Sequence, residues 1–510
     1  MSGAPGQRKT VTIGAACAAT LGLALAPAQG RADTLLDAVR LAYATNPTFR
    51  EDQAQLRAID EGYVQARAAL GPQVNLTGQF GYENALVQQP ASIFARAETS
   101  TFQAGTGTAD ISVVQPLYTG GKVDAAVRGA SASILAGRDS LRDAEGQLLV
   151  SVVTAYLDVR AARVSVDILT DEIKDLRSEA EEIRVRGSVG QVSRTDVAEA
   201  GARLLSAQAE LESARGKLNS SNAEYLNVVG ESPGQLDPAP EFTEIPDSVD
   251  EAFEAAEHNN AQLQSAIETE RAAHEAIAQA KAASRPTVSL KLDAAIAPVE
   301  PYLPQEYQRS LAASVVVNQS IFTSGQNSSQ VREAADRDGS AQLAIEVARR
   351  NMIQSVAQAW DQLVSTREAI AIEQKQVDLE SISVQGNRVE ERVGLRTTID
   401  MLNAELEYAE AKLSLVQSQH DEYIAGATLL SAMGLLQAKF ITPDIEQYNP
   451  QTSFERVRNR DAAPWEDAID AIDRIDSHNP APPPLSPAVA GGQRPAESPA
   501  ASPSKPQVGP

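Results

Sequence analysis

Gln115-Pro116-Leu117-Tyr118-Thr119 is answered, 204 residues further on, by Gln319-Ser320-Ile321-Phe322-Thr323. The echo is not isolated. Ala38, Ala42 and Asn46 match Ala252, Ala256 and Asn260, and Pro72 matches Pro286, at an offset of 214. Gly190, Asp196 and Gly230 match Gly394, Asp400 and Gly434 at 204. Residues 33–230 thus form a first structural repeat and residues 248–436 a diverged second one. The change of offset makes the segment between Pro72 and Gln115 ten residues longer than its twin, which reads as one longer loop. Repeated units of this kind rarely bury their apolar faces alone.

Outside the echoed string, proline spacing separates helix from strand. No proline occurs between Leu117 and Ser232, or between Gln305 and Thr442. These stretches are rich in Ala, Glu, Gln, Leu and Arg, good helix formers. Without proline nothing breaks the interior of a long helix. Val197, Leu204, Leu211, Leu218 and Tyr225 fall seven apart, with Ala200, Ala207, Ala214 and Ser221 three residues after successive members. Leu402, Ala409, Val416, Tyr423 and Leu430 repeat the pattern. A heptad seam of large and small residues lets helices approach closely.

Each copy therefore reads as a helix ending near Leu70 or Ser284, a β-hairpin (73–117 or 287–320), one very long helix, a tight turn and a last helix. A helix of about 65 residues is roughly 100 Å long at ~1.5 Å per residue.

The strand segments alternate. Val74, Leu76, Phe80 and Tyr82 share one face, while Gln73, Asn75, Thr77 and Gln79 share the other. Val288, Leu290, Leu292 and Ala294 alternate with Ser289, Lys291 and Asp293, and Ile111 and Val113 with Asp110 and Ser112. Leu311, Ala313 and Val315 give a weaker fourth strand, because Ala312 and Val316 blur its polar face. Such segments suit an outer-membrane barrel; on pattern alone an ordinary soluble hairpin is the more common outcome, and the pairing with very long helices and the N-terminus shift the balance. The N-terminus favours the barrel. Arg8 and Lys9 precede an apolar run from Val11 to Ala28, with small-residue cleavage sites after Ala28 and, preferred here, after Ala32. That is a secretory signal peptide over residues 1–32. Acylation at Cys17 is disfavoured, since Gly14 precedes it and the apolar run continues past it.

Removing residues 1–32 takes away the only cysteine and three cations, so the formal charge moves from −24 to −27. The mature chain has no disulfide and no basic patch for nucleic acid. No later apolar run is long enough for a transmembrane helix, so a membrane-spanning form must be a closed β-barrel. Four strands cannot close around a pore. Two chains would give eight strands and a filled interior, and three give twelve and a lumen. If the barrel is a conduit, a homotrimer in contact with outer-membrane lipid is the expectation.

Residues 231–247 hold four prolines and connect the copies. Residues 437–477 are acidic and read as an equatorial or peripheral segment, part of it wrapping the helical body. Residues 478–510, with ten prolines, lack the apolar content to fold.

In Ala42-Tyr43-Ala44-Thr45-Asn46-Pro47, Gln65-Ala66-Arg67, Gln115-Pro116-Leu117-Tyr118-Thr119-Gly120-Gly121 and Arg194-Thr195-Asp196-Val197, in that order and in double copy, the chain resembles the TolC family of trimeric outer-membrane exit ducts. The resemblance covers residues 33–436. It implies a mixed α and β membrane protein in which four β-strands per chain enter a shared 12-stranded barrel in the outer membrane of a Gram-negative bacterium, above a long α-helical coiled-coil tunnel through the periplasm. It also implies an inner-membrane transporter, of ABC type, with its periplasmic adaptor. Thr45-Asn46-Pro47 and residues 189–196 look most like the branch paired with type I protein secretion.

The resemblance places adaptor docking at the tips, on Val189 and Gly190 and on Val393, Gly394 and Leu395. The plainer reading is that both glycines only supply a positive φ. It also implies that Asp400 joins a carboxylate ring at the periplasmic aperture, where crowding would raise its pKa, and that Arg396 latches to Thr195 and Asp196 on a neighbouring coil. The plainer reading of Asp196 and Asp400 is a carboxylate favoured by the helix dipole. Two departures weaken the expected gate. Asn403 replaces a second acidic position, and Glu391 replaces a tyrosine and would repel Asp196.

His258, His274, His420 and His478 are scattered, and no metal-spaced cluster, phosphate loop or nucleophile elbow is present. His420, on the heptad seam, reads as a packed residue. No enzyme, cofactor or metal is expected. The readings left are a passive duct for protein, a duct for small toxic molecules, and a non-conducting periplasmic coiled-coil spacer.

Overall fold

The computed structural model describes residues 34–89, 98–242, 245–298, 307–441, 447–460 and 462–474. The signal peptide, the proline-rich tail and the hairpin tips lie outside these residues. Helices α1 (Leu35–Thr45) and α2 (Pro47–Ala68), strands β1 (Gln73–Gln89) and β2 (Glu98–Tyr118), and helices α3 (Lys122–Ser188) and α4 (Arg194–Val229) follow in order. The same order recurs as α5 (Val249–Asn259), α6 (Ala261–Ala282), β3 (Thr287–Pro298), β4 (Tyr307–Asn318), α7 (Gln326–Arg392) and α8 (Thr398–Ala432). Three short helices, α9 (Ala438–Ile441), α10 (Pro450–Arg458) and α11 (Glu466–Asp473), end the described chain.

The opening helix of each copy is broken in two, which the periodicity did not reveal. One asparagine makes each break. Asn46 ends α1 through its N–H on the Ala42 carbonyl (2.8 Å), and its Oδ1 accepts from the N–H groups of Thr48 (3.0 Å) and Phe49 (3.2 Å) to start α2. Its Nδ2 donates to the Val228 carbonyl at the end of α4 (3.1 Å). Asn260 does the same with Ala256, Leu263 and Ala432. A side chain that caps one helix and satisfies the free carbonyls of another uses both of its polar ends.

The four strands form one antiparallel sheet in the order β1-β2-β3-β4. Register puts Leu76 beside Ile111, Ile111 beside Ala294 and Ala294 beside Leu311, so a single apolar face crosses all four strands. Asp110, Asp293 and Lys291 lie on the other face, where Lys291 Nζ meets Asp293 Oδ1 at 2.9 Å. Leu76, Phe80, Tyr82, Leu311 and Val315 are exposed on the apolar face. The outer edges of β1 and β4 have no partner within the sheet. The ten extra residues of the first copy are not a longer loop, as the sequence suggested. Residues 85–89 and 98–102 extend β1 and β2 as paired strand.

Each 67-residue helix has two shorter ones stacked along it: α2 and α4 on α3, and α6 and α8 on α7, with α6 also bridging to α3. The largest core lies midway, where α1, α3, α4, α5, α7 and α8 converge on Tyr156, Tyr225, Val152, Val356 and Leu429. The Tyr156 and Tyr225 ring centroids are 6.5 Å apart. Ala200, Ala207, Ser221 and Tyr225 of the heptad seam are buried, as are Leu402, Ala409 and Leu430 of its twin. No helix among the described residues is long and apolar enough to cross a membrane.

The segment after Leu436 does not stay at the equator. Tyr448 N–H donates to the Tyr43 hydroxyl (3.2 Å), Phe454 packs edge-on against Tyr63, and Asp473 accepts from the backbone and hydroxyl of Thr119 where β2 meets α3. It climbs α2 and α3 towards the sheet.

Candidate functional site: the helical tips

At the end far from the sheet, both coils turn by the same device. Val189 ends α3, Gly190 takes φ +79°, and the N–H of Gln191 reaches back to the Arg186 carbonyl (2.9 Å). Val393, Gly394 (φ +78°) and Leu395 repeat it, with the N–H of Leu395 on the Glu390 carbonyl (2.9 Å). A side chain at Gly190 or Gly394 would meet nothing within 4 Å, so the left-handed backbone is what calls for glycine.

Ser193 and Thr397 then start α4 and α8 in capping boxes. Ser193 N–H donates to Asp196 Oδ2 (3.0 Å) and Asp196 N–H to Ser193 Oγ (3.1 Å). Thr397 N–H and Oγ1 both donate to Asp400 Oδ2 (3.0 and 2.7 Å). Both aspartates thus close capping boxes in the first turns of their helices, a role the sequence reading had not assigned them. Within the subunit the Thr397 side chain and backbone, with Arg396 nearby, hold Asp400 below the usual carboxylate range. Crowding at an aperture would act in the opposite sense.

Val189, Val393 and Leu395 stand 68%, 66% and 76% exposed. One turn back, Val185 and Val389 are exposed as well, which lengthens each tip's apolar stripe. These two valines were legible as the residues four positions before Val189 and Val393.

Arg396 does not reach Thr195 or Asp196 in its own chain. Its Nε donates to Glu390 Oε2 (3.1 Å), an ion pair inside the second turn. Thr195 is exposed and sits on the other hairpin. Glu391 also departs from expectation. It is only 8% exposed and accepts from Arg186 Nη1 (2.6 Å), so it links the two hairpins rather than repelling Asp196. Arg388 Nη2 adds contacts to Glu405 (2.6 Å) and Glu179 (3.4 Å), and Arg203 Nη2 donates to Asn403 Oδ1 (2.9 Å). Sequence reasoning missed these partners because the Arg186–Glu391, Arg388–Glu179 and Arg203–Asn403 pairs join helices at least 200 positions apart, and Arg388–Glu405 closes across a turn of 17 positions.

Arg186, Arg388, Glu179, Glu391 and Met401 line an open groove of about 300 Å3 between the coils. Burial, reinforced by the hydrogen bond and charge of Glu405, holds the Glu179 carboxyl well above its usual range against the pull of Arg388. Further from the tip, burial and then Glu210 push Glu172 up to about 7. The seam between the two hairpins thus buries carboxylates whose rise the nearby Arg388 and Lys412 do not cancel.

Elsewhere, His420 Nε2 lies 3.0 Å from Asp158 and Nδ1 2.8 Å from Asp421, a packed residue linking α8 to α3. Glu270, His274 and Asp338 bring donor atoms within 4.8 Å of one another across α6 and α7, a proximity that sequence spacing did not show.

An apolar-faced sheet with open edges, joined to coiled helices whose tips turn far from it, defines an outer-membrane channel subunit. The chain belongs to the outer membrane efflux protein family, whose model matches residues 38–231 and 252–435. It is 28% identical over 429 residues to the outer membrane efflux protein BepC of Brucella suis, covering 84% of this chain and 91% of that one. It is 23% identical to the outer membrane protein TolC of Escherichia coli (80% and 83% covered) and to the alkaline protease secretion protein AprF of Pseudomonas aeruginosa (79% and 84%). Among solved structures, the Campylobacter jejuni CmeC outer membrane channel superposes with a TM-score of 0.69 at 13% identity, over 83% of this chain and 88% of that one. The outer membrane protein VceC of Vibrio cholerae gives 0.66 at 18%, over 78% and 96%. These likenesses establish a TolC-like fold, and the family places the chain in the outer membrane.

Proposed function

We propose that three copies of this chain close a twelve-stranded barrel and form a passive exit duct. The duct takes cargo from an inner-membrane transporter through a periplasmic adaptor docked on Val189, Gly190, Val393, Gly394 and Leu395. The open edges of β1 and β4 carry the reading. Backbone groups left unpaired in lipid are too costly to persist, and the strand order lets β4 of one copy meet β1 of the next antiparallel. Two copies would leave an interior filled by side chains, whereas twelve strands leave a lumen. Arg396 is then free to exchange Glu390 for Thr195 and Asp196 of a neighbour, with Asp400 near the axis.

Type I protein secretion, through an ABC-type transporter, is the cargo reading favoured by the wording of residues 189–196, and the likeness to AprF agrees with it. The higher identity to BepC, called an efflux protein, supports small-molecule efflux as the second reading. The test is purification in detergent followed by planar-bilayer recording. A heat-modifiable trimer with discrete conductance is expected, and a non-conducting rod would overturn the duct. Deleting the gene then separates the cargoes: loss of an extracellular protein supports secretion, and sensitivity to toxic compounds alone supports efflux.

A further inference from the structure

Helix α11 has two faces. Glu466, Ile469 and Asp473 are buried against the body, with Ile469 in a cluster of Leu70, Val123 and Val127. An adjoining face carries Trp465, Ala468 and Ile472, all exposed, Trp465 by 52% and Ile472 by 46%. These positions fall within about 60° of one another at 3.6 residues per turn, so they form one exposed apolar stripe.

The position of that stripe is fixed by Gln115. The indole Nε1 of Trp465 donates to Gln115 Oε1 (3.1 Å), while Gln115 Nε2 donates to the Leu70 carbonyl (2.8 Å). In the sheet Gln115 pairs with Leu290, next to the pairing of Val113 with Leu292, so it lies on the apolar face. Trp465 therefore sits at the foot of the lipid side of the sheet and not in the lumen. Just before it, Arg456, Arg458 and Arg460 are exposed in a chain otherwise strongly acidic.

We propose that α11 is an interfacial anchor: Trp465 and Ile472 enter the headgroup boundary of the inner leaflet of the outer membrane, beside anionic phospholipid drawn by the three arginines. An indole with one wet and one apolar side suits that boundary, and an amphipathic helix lies in it with its apolar face buried. The stripe continues the apolar face of the sheet, so lipid covers both without a break. The anchor rests on the sheet being in the membrane as the duct requires.

The full mature chain carries two tryptophans, Trp360 and Trp465. In proteoliposomes containing phosphatidylglycerol, Trp360→Phe leaves Trp465 as the only reporter. Phospholipid brominated near the glycerol end of its acyl chains is expected to quench its emission at least twofold, and acrylamide to quench it weakly. Trp465→Phe, which leaves Trp360 in its core, should lose the lipid quenching. Emission that acrylamide quenches fully and bromolipid does not, or that is shielded from both by another protein surface, overturns the anchor. Leu311→Trp in the chain lacking both native tryptophans reports on the sheet alone. If it is quenched by bromolipid and Trp465 is not, the duct stands and the anchor falls.

Discussion

Arg186 of the first hairpin and Glu391 of the second lie 2.6 Å apart across the seam between the coils, with Glu391 almost fully enclosed. The contact ties the two tip turns into one unit. Opening the tip by swinging one coil away must break it, together with the Arg388–Glu179 and Arg203–Asn403 contacts.

Arg186→Ala removes the cation and leaves a buried carboxylate unpaired, a situation that is more damaging than removing both partners. The single variant is expected to lower stability more than Arg186→Ala combined with Glu391→Gln. A coupling of about 1–3 kcal/mol should appear in a double-mutant cycle of thermal unfolding. Additive single effects would show that the pair is idle.

At the tips the two roles of the turn device shared by both copies separate. Gly394→Ala forces a side chain into φ +78° and should cost about 1–2 kcal/mol. Val393→Ser with Leu395→Ser touches only exposed groups and should change stability by less than about 0.5 kcal/mol, yet lower transport in cells. Transport unaffected by the serine pair would remove these residues from adaptor docking.

Glu172 gives the seam a pH dependence. Its folded pKa, about 7, lies above the ordinary value of 4.5, so the folded chain holds a proton that the unfolded chain has lost. Stability from this site is therefore greatest at low pH and declines as pH rises from 4.5 through about 7. Glu172→Gln should flatten that part of a plot of melting temperature against pH. An unchanged slope would place the dependence elsewhere.

His420 acts with the same sign for a different reason. Burial alone would lower its pKa, but the hydrogen bonds of Asp158 and Asp421 outweigh burial and raise it above 6.5. The stabilisation is fully present below 6.5 and is lost as pH rises through the folded value. His420→Gln should therefore destabilise the protein in acid and little in alkali, read from melting temperatures at both ends.

Arg396→Ala removes the cation beside Asp400 and Glu390. Single-channel conductance in planar bilayers is expected to rise, as it would on release of a contact between subunits. Unchanged conductance would leave Arg396 as a local partner of Glu390 and no more.

Much of this protein could be read along the chain, because the signals are local. Missing prolines permit the 67-residue helices, alternation marks each strand, and the string from Gln115 to Thr119 with its echo marks the hairpin-to-helix junction in each copy. The turn glycines were legible as well, and Asp196 and Asp400 were placed at the starts of their helices, but as carboxylates favoured by the helix dipole; the capping boxes they close came from the structure. The break at Asn46 was harder to read. An amide that ends one helix and starts another looks, in sequence, like one polar residue in a helical pattern.

Tertiary structure alone decided which charges meet. Glu391 reads as a repulsive neighbour of Asp196 until the fold brings Arg186 to it, and Gln115 reads as part of a motif until Trp465, 350 positions later, shows which side of the sheet its side chain faces. Periodicity and capping depend on residues a few positions apart and survive in a linear string. Pairing between coils depends on how long helices are placed side by side, which is set by the summed packing of their seams and by no single stretch of sequence.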